Sequence, residues 1–440
     1  MSGKVYVCNY NKNILLGRYP ENSIAEIWNS EKAQRLREHM RNNDLEYGCN
    51  HCKFYFDKGK FSNLRPLAFD KYHTSTSADF PQVMEFELSN ECNLECQMCN
   101  GNVSSSIRKK RDKLPPLFNP YDETFVNQLE PYISKLKEAK FYGGEPFLIP
   151  IYYKIWDRFL AVNPSCNIFI ITNGTHWNSK IKLLVEKLNL DIAISIDSLQ
   201  KERLESIRKN ANFENLIQNI SNFNEVLQQK GKTLSLSFTV QQENWQELPS
   251  FINFCNKLKA SVYISYIDSP KKYAISELNP ESLQKIIEEL GFVELPLKST
   301  LEKHNAQCLK DFLTYVRKYL ENEREPQYED YAYLPENLSK EAKDLLKSHP
   351  LIKVRKPLTR SELLLEVEHY LKMKSIPISS TDLVDKIDEV YSGVPLIDRP
   401  KIYGMIYQND FPKTIQLLYE RDVIELREMA LWLLPLIVLE

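Results

Sequence analysis

Three cysteines close together in the sequence are its most reactive feature. The segment from Glu91 to Asn100 reads E-C-N-L-E-C-Q-M-C-N, which places Cys92, Cys96 and Cys99 in a C-x3-C-x2-C loop. A cubane iron–sulfur cluster normally takes four cysteine ligands, so a loop with three leaves one iron open to another ligand. A tetrahedral zinc site is the alternative, although its ligands usually come as separated pairs. The spacing therefore favours an iron–sulfur cluster with a reactive open iron.

The residues around this loop resemble the radical S-adenosylmethionine (radical SAM) family. The apolar run Val83 to Leu88 predicts a strand before the loop, and the stretch E-L-S-N-E-C-N-L-E-C-Q-M-C is similar to the family in its flanks as well. The resemblance implies a [4Fe-4S] cluster on the three cysteines, with S-adenosylmethionine on the open iron. One electron from the cluster would cleave the sulfonium to a 5'-deoxyadenosyl radical, which abstracts hydrogen from a substrate. The protein orients and shields this cofactor chemistry.

A second motif, Phe141 to Pro146, contains two of the twelve glycines and follows another predicted strand. Gly143 and Gly144 let the backbone approach a ligand closely, although a plain βα turn is the alternative. The motif resembles the G-G-E-P of radical SAM proteins. The resemblance implies that this backbone, Glu145 and Pro146 bind the cofactor, with the Glu145 carboxylate at the amino group of the methionine moiety.

Further candidates for the cofactor site follow the next predicted strands. Asn173 lies in T-N-G, and Ser195 and Asp197 lie in S-I-D-S; both stretches look like those of the family. Side chains two residues apart on a strand share a face, so Ser195 and Asp197 are expected near the ribose or the methionine carboxylate. Arg208 is a candidate for that carboxylate, with a solvated helical arginine as the alternative. Three more polar residues on or after the fifth of these strands are candidates too: Ser237, Thr239 and Asn244.

The elements that must position these residues alternate along the chain. Six apolar runs predict strands: Val83–Leu88, Glu138–Tyr142, Asn167–Thr172, Asp191–Asp197, Leu234–Val240 and Val262–Ile267. Between them lie segments of helical periodicity, among them Ile181–Leu188, Phe213–Leu227 and Leu248–Leu258. This alternation predicts right-handed βαβ units and a parallel sheet. The family resemblance implies an α/β fold with a partial (β/α)6 TIM-like barrel, whose active site is expected at the carboxyl ends of the strands.

A second cysteine group lies near the amino terminus. Residues 3–8 read G-K-V-Y-V-C, residues 23–30 read S-I-A-E-I-W-N-S, and Cys49 and Cys52 form a C-x-x-C pair. The pattern resembles the SPASM/twitch auxiliary-cluster domain of radical SAM proteins, placed here before the core. The resemblance implies a second iron–sulfur cluster on Cys8, Cys49 and Cys52.

The fourth ligand of this second site stays open in the sequence. His51, a distant cysteine or a cysteine from a part of the domain that the sequence lacks could be this ligand. Alternatively, the position has no protein ligand and the open iron binds substrate. The alternative is a zinc knuckle formed by the three cysteines with His51 or His73, because a C-x-x-C pair is also a familiar zinc half-site.

The last third of the chain is predicted to be helical. Helical patterns occur at Pro280–Leu290, Lys303–Asn322, Leu338–Lys347, Thr359–Met373, Ser380–Tyr391 and Asp410–Leu434. We therefore predict three domains: a SPASM/twitch-like domain at 1–75, the radical SAM core at 80–270, and a helical C-terminal domain at 271–440 for substrate docking, a lid or self-association. Cys308 in this third is either a small apolar residue, a hydrogen-atom donor to a substrate radical as in radical SAM peptide epimerases, or a late cluster ligand.

Composition bounds the remaining classes. The 57 basic and 59 acidic residues nearly cancel, which argues against nucleic-acid binding. No secretory signal is recognised, and the longest apolar run, Leu431 to Leu439, is too short to span a membrane. The nine cysteines then indicate a cytoplasmic protein, where clustered thiols hold metal more often than they form disulfides.

Together these features predict a radical SAM enzyme. The SPASM/twitch resemblance implies modification of a ribosomally made peptide by crosslinking, epimerisation or backbone excision. The expected partners are a precursor peptide and a reducing protein such as flavodoxin or ferredoxin. A small molecule or sugar is the alternative substrate. A zinc-binding scaffold protein, with both cysteine groups structural, is the alternative from another class.

Overall fold

The structure is a computed structural model that describes most of the first 321 residues and parts of the rest. The described ranges are 3–11, 14–61, 64–72, 79–267, 270–321, 352–354, 356–373, 386–387, 390–391, 394, 399–408, 415, 426 and 437–439. The chain divides into two units. The larger unit comprises Met1–Val7, Leu15–Asn42 and Arg65–Arg324, and the smaller unit comprises Cys8–Ile14, Asn43–Leu64 and Glu325–Glu440. The division into the three predicted domains stays a prediction.

The larger unit is built on a six-stranded parallel sheet in which each strand pairs with its neighbours in sequence. An antiparallel hairpin of β1 (Lys4–Tyr6) and β2 (Leu15–Arg18) precedes it. The sheet strands are β3 (Val83–Phe86), β4 (Glu138–Phe141), β5 (Asn167–Thr172), β6 (Leu190–Ser195), β7 (Ser235–Val240) and β8 (Ser261–Tyr266). The smaller unit has a parallel pair, β9 (Ile352–Val354) and β10 (Ile437–Leu439). The predicted α/β class and all six predicted core strands are confirmed, with small differences at the strand ends.

Helices connect the strands and continue after the sheet. Those of the larger unit are α1 (Ile24–Trp28), α2 (Glu31–Arg41), α4 (Ser105–Lys110), α5 (Glu123–Ile133), α6 (Pro150–Val162), α7 (Ser179–Lys187), α8 (Lys201–Ile207), α9 (Phe213–Gln229), α10 (Leu248–Leu258), α11 (Pro280–Gly291) and α12 (Thr300–Leu320). Those of the smaller unit are α3 (Asn50–Asp57), α13 (Arg360–Met373) and α14 (Arg399–Gln408). The predicted helix at 338–347 lies outside the described residues, as do most of those at 380–391 and 410–434.

Alternation along the strands separates a core face from a polar face. In β6, Leu190, Ile192 and Ile194 belong to the hydrophobic core, so the alternate residues Asp191, Ala193 and Ser195 lie on the opposite face. Helix α12 begins with a capping box in which Ser299 and Glu302 satisfy each other's backbone N–H groups. Its residues Phe312 and Val316, like Ile286 of α11, are buried in the same core as the sheet. The first part of the predicted C-terminal domain therefore packs within the larger unit.

Helix length and composition also bear on membranes. Across the described ranges, no helix combines the length and the apolar character needed to cross a bilayer.

Candidate active site

The cysteine loop follows β3 and is fixed by main-chain hydrogen bonds. The Glu95 N–H donates to the Lys209 carbonyl (3.0 Å), and the Gln97 N–H donates to the Ile207 carbonyl (2.9 Å). These two bonds attach the loop to the segment just after α8, on either side of Arg208. The loop is therefore positioned by main-chain hydrogen bonds to the residues on either side of Arg208.

Helix α4 supports the loop from its other side. Ser105 Oγ accepts from the Cys92 N–H (3.1 Å) and donates to the Cys92 carbonyl (3.2 Å). Ser104, the N-cap residue of α4, donates through Oγ to the Leu94 carbonyl (2.7 Å). Arg111 Nη2, at the end of the helix, donates to the carbonyl of Cys99 (2.8 Å). Both ends of this short helix thus bind the cysteine loop.

The three thiols of the loop are electrostatic neighbours. Cys96 is buried, whereas Cys92 and Cys99 are half-buried, and burial raises the pKa of Cys92 to about 11. Cys96 and Cys99 share a hydrogen bond, which lowers the pKa of Cys96 and raises that of Cys99, and the Arg208 guanidinium favours the thiolate of both. Among the described residues, no group of three or more His, Cys, Asp or Glu side chains is arranged so that it could hold a metal ion.

The chemistry of these donors nevertheless fits an iron–sulfur cluster. Thiolates are soft ligands that suit such clusters and zinc. The nearby Arg208 guanidinium partly compensates the negative charge of the thiolates. That Cys92, Cys96 and Cys99 hold a cluster stays a prediction. It is supported by the electrostatic interactions among the three thiols.

The two glycines of the G-G-E-P segment allow it to lie directly against the cysteine loop. The Gly144 N–H donates to the Ser89 carbonyl (3.0 Å), and the Glu145 N–H donates to the Glu91 carbonyl (2.7 Å). A Cβ on Gly144 would lie 2.2 Å from the Glu91 oxygen, and Gly143 has a φ of +119°, a region that favours glycine. The close approach is therefore to the residues that precede Cys92. Pro146 is buried in the short 3₁₀ turn Pro146–Leu148.

The Glu145 carboxylate joins this segment to the end of β5. It is completely buried and accepts three hydrogen bonds: from Thr172 Oγ1 (2.7 Å), the Asn173 N–H (2.6 Å) and the Phe147 N–H (3.1 Å). Burial raises the pKa of Glu145 to about 7, although these donors and Arg208 oppose the shift. The sequence motifs assigned no role to Thr172. Its position in the T-N-G turn was the only indication that it could belong to the site.

Asn173 extends the network to the first cysteine. Its Nδ2 donates to Asn93 Oδ1 (3.0 Å) and lies 3.9 Å from Cys92 Sγ. Its Oδ1 accepts from the Thr175 N–H (3.0 Å) and hydroxyl (2.7 Å). The amide is therefore held from both sides at the edge of the cysteine loop. Asn93, inside the C-x3-C spacing, was not recognised from the sequence.

Asp197 and Arg208 form a buried ion pair. Arg208 Nε lies 2.7 Å from Asp197 Oδ2, and Asp197 Oδ1 accepts from the Thr239 N–H (2.9 Å). The coulombic attraction of Asp197 and Cys96 outweighs burial and raises the pKa of Arg208 further. The alternative of a solvated helical arginine is therefore wrong. Ser195, at the end of β6, is half-buried.

The three further polar candidates lie on or just after β7. The Ser237 carbonyl accepts from the Ile196 N–H (2.8 Å). The Thr239 hydroxyl is hydrogen-bonded to that of Ser265 (3.0 Å). Asn244 Nδ2 donates to the carbonyls of Asp197 (2.9 Å) and Thr239 (3.0 Å). Asn244 thus holds the ends of β6 and β7 together.

Cys308 lies away from this group. Its thiol donates to the carbonyl of Val262 (3.5 Å), the second residue of β8, and α12 packs on the core face of that strand. The site residues, by contrast, follow the carboxyl ends of the strands. This position does not support Cys308 as a hydrogen donor to a substrate radical or as a ligand of the loop cluster.

The N-terminal cysteines come together in the smaller unit. Cys8 is exposed and Cys49 and Cys52 are half-buried. Burial raises the pKa of Cys49 to about 11, with smaller contributions from Cys52 and Cys8. Asn11 is buried beside them, and its Nδ2 lies 3.8 Å from Cys49 Sγ.

His51 and His73 are the histidines predicted as alternative ligands of this site. The His51 ring stacks on Tyr10, with centroids 4.3 Å apart, and meets Tyr55 edge-on. His73 lies outside the described residues. The role of either histidine as a ligand stays a prediction.

Comparison with known proteins identifies two domain types in the chain. Residues 86–255 match the model of the radical SAM superfamily. Residues 1–53 match the model of SPASM, an iron–sulfur cluster-binding domain. The two matches contain the two cysteine groups described above and agree with the recognition made from the sequence motifs.

Individual relatives are more distant. The chain is 23% identical over 255 residues to an AdoMet-dependent heme synthase of Methanosarcina barkeri, covering 55% of this chain and 66% of that protein. It is 31% identical over 136 residues to the radical SAM cyclopropyl synthase TigE of Paramaledivibacter caminithermalis, covering 27% of each chain. These matches thus span less than two thirds of either relative.

Among solved structures, the chain is similar to SuiB of Streptococcus suis bound to S-adenosylmethionine. That match has a TM-score of 0.35 at 15% identity, covering 57% of this chain and 58% of the other.

Proposed function

This chain belongs to the radical SAM superfamily of enzymes, and we propose that it modifies a ribosomally made peptide with a radical generated from S-adenosylmethionine. The observation that carries the proposal is the convergence of three cysteines, Glu145 and the Asp197–Arg208 pair on one hydrogen-bonded edge of the sheet. The radical SAM and SPASM domains imply S-adenosylmethionine and iron–sulfur clusters as cofactors. The number and type of the clusters belong to the proposal.

At the catalytic site, Cys92, Cys96 and Cys99 would hold a [4Fe-4S] cluster. When bound, the cluster supplies the electron that cleaves S-adenosylmethionine at its open iron. Arg208 compensates the negative charge of the Cys96 and Cys99 thiolates, since its guanidinium lowers the energy of both. Asp197 holds that guanidinium in place.

Glu145 would meet the amino group of the methionine moiety. A carboxylate offers about four lone-pair positions, and the bonds from Thr172, Asn173 and Phe147 use three of them. One position on Oε2 is left for a cation. Gly143, Gly144 and Pro146 fix the segment that carries this carboxylate, while Asn173 and Ser195 line the neighbouring strand ends.

At the N-terminal site, Cys8, Cys49 and Cys52 would hold a second iron–sulfur cluster. The support is their mutual electrostatic influence and their place in the SPASM match. A zinc knuckle uses the same ligands and is distinguished by metal analysis.

The combination of a radical SAM core with an auxiliary-cluster domain supports a precursor peptide as substrate, with flavodoxin or ferredoxin as the electron donor. A small-molecule substrate is the second candidate. It is favoured by the similarity over 255 residues to a relative named for heme synthesis.

The radical chemistry is tested with anaerobically purified and reconstituted protein. Reduction in the presence of S-adenosylmethionine should release 5'-deoxyadenosine, and the combined Cys92→Ala/Cys96→Ala/Cys99→Ala variant should release none. Cys166→Ala is the control, because Cys166 is buried just before β5, away from the site. Colourless protein with stoichiometric zinc and no cleavage would contradict the proposal and favour a zinc scaffold.

Iron counting tests the second cluster. The triple variant of the catalytic cysteines should retain iron, and a Cys8→Ala/Cys49→Ala/Cys52→Ala variant should lose only part of it. If the first variant loses all iron, the N-terminal site holds no cluster of its own.

The substrate is tested with short peptides encoded beside the gene. Mass spectrometry should show a change in peptide mass, or deuterium uptake from heavy water if a residue is epimerised, only with S-adenosylmethionine and reductant. If such peptides remain unchanged while small-molecule extracts are converted, the second candidate replaces the first.

A further inference from the structure

Two asparagine side chains in different parts of the chain each donate a hydrogen bond to a cysteine sulfur. Asn173 Nδ2 lies 3.9 Å from Cys92 Sγ, and Asn11 Nδ2 lies 3.8 Å from Cys49 Sγ. We propose that each amide sets the reduction potential of the iron–sulfur cluster beside it. The inference rests on the proposed function, since it takes Cys92 and Cys49 as cluster ligands.

The orientation of Asn173 is fixed by its other partners. Its Oδ1 accepts from both the N–H and the hydroxyl of Thr175. A backbone N–H can only donate, so the oxygen must face Thr175 and the NH₂ group must face Asn93 and Cys92. The Asn173 N–H is also bound to Glu145. The amide therefore cannot turn away from the sulfur without losing several bonds.

Asn11 reaches its cysteine from a tightly packed position. Its side chain is 1% exposed, and its N–H donates to the Cys8 carbonyl (3.3 Å). A Cβ on Gly48 would lie 2.7 Å from Asn11 Oδ1 and 2.9 Å from Nδ2, so the glycine makes room for the amide next to Cys49. Among the described residues, no hydrogen-bond donor reaches Asn11 Oδ1. Such a buried and incompletely bonded amide costs stability, which is consistent with a role toward the neighbouring thiolate.

An amide that donates to a ligand sulfur stabilises negative charge on the cluster. The reduced cluster carries one more negative charge than the oxidised cluster, so the bond favours reduction. Hydrogen bonds to the sulfurs are among the factors that determine the potentials of iron–sulfur clusters. Removal of either amide donor should therefore make the potential of its own cluster more negative. Asn11 and Asn173 act through the cysteines and are positioning residues.

The test is a potentiometric titration of the full chain followed by electron paramagnetic resonance, without S-adenosylmethionine. Each cluster is measured alone, in the background that lacks the other three cysteines. Asn173→Leu should lower the midpoint of the catalytic cluster by removing the donor; Asn173→Asp keeps an acceptor for Thr175 and adds a negative charge, so it should lower the midpoint further. Asn11→Leu and Asn11→Asp should lower the midpoint of the N-terminal cluster. At fixed ambient potential we expect the reduced-to-oxidised ratio to fall roughly three- to tenfold, tenfold being about 59 mV for one electron.

The control separates tuning from loss of structure. Asn163 donates through Nδ2 to the carbonyls of Ile133 (2.8 Å) and Leu136 (2.9 Å), just before β4 and away from the cysteine loop. Asn163→Leu should lower stability and leave both midpoints unchanged.

Three results would overturn the inference. Unchanged or higher midpoints in the Asn173 and Asn11 variants would do so, and so would equal shifts of both clusters in a single variant. If the N-terminal site holds no iron in the wild type, the second cluster of the proposed function fails and the Asn11 half falls with it. The midpoint of the catalytic cluster in the Asn173 variants still tests the proposed role of Asn173.

Discussion

Arg208 Nε lies 2.7 Å from Asp197 Oδ2, and the two side chains are 9% and 0% exposed. Asp197 follows β6, whereas Arg208 lies between the two residues whose carbonyls bind the cysteine loop. The pair thus connects the end of the sheet to the loop and keeps a positive charge beside Cys96 and Cys99. The same ion pair therefore contributes both to the stability of the site and to the positive charge near the two thiols.

Breaking this pair should be costly. Asp197→Asn keeps the shape of the side chain but leaves the buried Arg208 charge without its carboxylate partner. We expect a loss of about 3–5 kcal/mol in unfolding free energy, measured by urea denaturation of the metal-free protein. The control is Lys154→Met, which removes an exposed pair with Glu123 (2.6 Å) and should cost less than about 1 kcal/mol. Equal losses in the two variants would contradict the prediction.

Glu145 should make stability depend on pH. Burial raises its pKa from 4.5 to about 7, so the folded protein holds a proton that the unfolded chain releases between these values. The resulting stabilisation is complete below about pH 4.5 and is lost as the pH rises through about 7. Relative to Glu145→Gln, the wild type should lose about 3 kcal/mol over this interval, at 1.36 kcal/mol per pKa unit.

Denaturation of the wild type and Glu145→Gln at several pH values provides the measurement. Only the difference between the two proteins is used, so that other titrating groups cancel. A difference that stays constant, or that grows with pH, would show that the carboxyl is ionised in the folded protein throughout.

Gly144→Ala should separate the two loops of the site. The new Cβ would lie 2.2 Å from the Glu91 oxygen, which is main chain and cannot move without shifting the segment before Cys92. We expect a loss of about 1–3 kcal/mol, as for other overpacked sites, and less iron retained after reconstitution. Gly291→Ala is the matched control, since nothing lies within 4 Å of its Cβ; it should retain full iron content. Full iron loading of Gly144→Ala would contradict the predicted displacement.

Tyr152→Phe should lower the stability of the protein, because the Tyr152 hydroxyl binds main-chain groups at the ends of β3 and β4. The Tyr152 hydroxyl accepts from the Leu88 N–H (3.0 Å) and lies within hydrogen-bond distance of the carbonyls of Phe86 (2.9 Å) and Tyr142 (2.6 Å). Its removal leaves the buried Leu88 N–H without this acceptor, at a cost of about 1–3 kcal/mol. Thermal denaturation measures it.

Tyr153→Phe serves as the comparison for Tyr152→Phe. The Tyr153 hydroxyl donates a single bond to the Phe147 carbonyl (2.9 Å), at a half-buried position. Its loss should cost less, and an equal or larger effect would contradict the assignment.

The sequence predicted the elements better than the contacts. The core strands, α10 and α12 were predictable because their apolar residues recur with the period of the element, although the predicted start of α12 at Lys303 missed the capping box of Ser299 and Glu302. The Cys92–Asn173 contact joins residues that are far apart in sequence, so only the folded sheet brings them together. The face of β8 that Cys308 occupies likewise depends on how α12 packs. Asn11 gave no signal, because a single asparagine before a predicted cysteine site fits any turn.

The backbone pairing of the cysteine loop has a consequence for how the enzyme matures. Glu95 and Gln97 bind the main chain on either side of Arg208, so the loop is ordered when the polypeptide folds. The conformational entropy of the loop is then lost during folding and would not weaken the binding of a cluster by its cysteines. We therefore expect this chain to differ from small zinc domains that fold only on their metal, with assembly of a cluster following folding as a separate step.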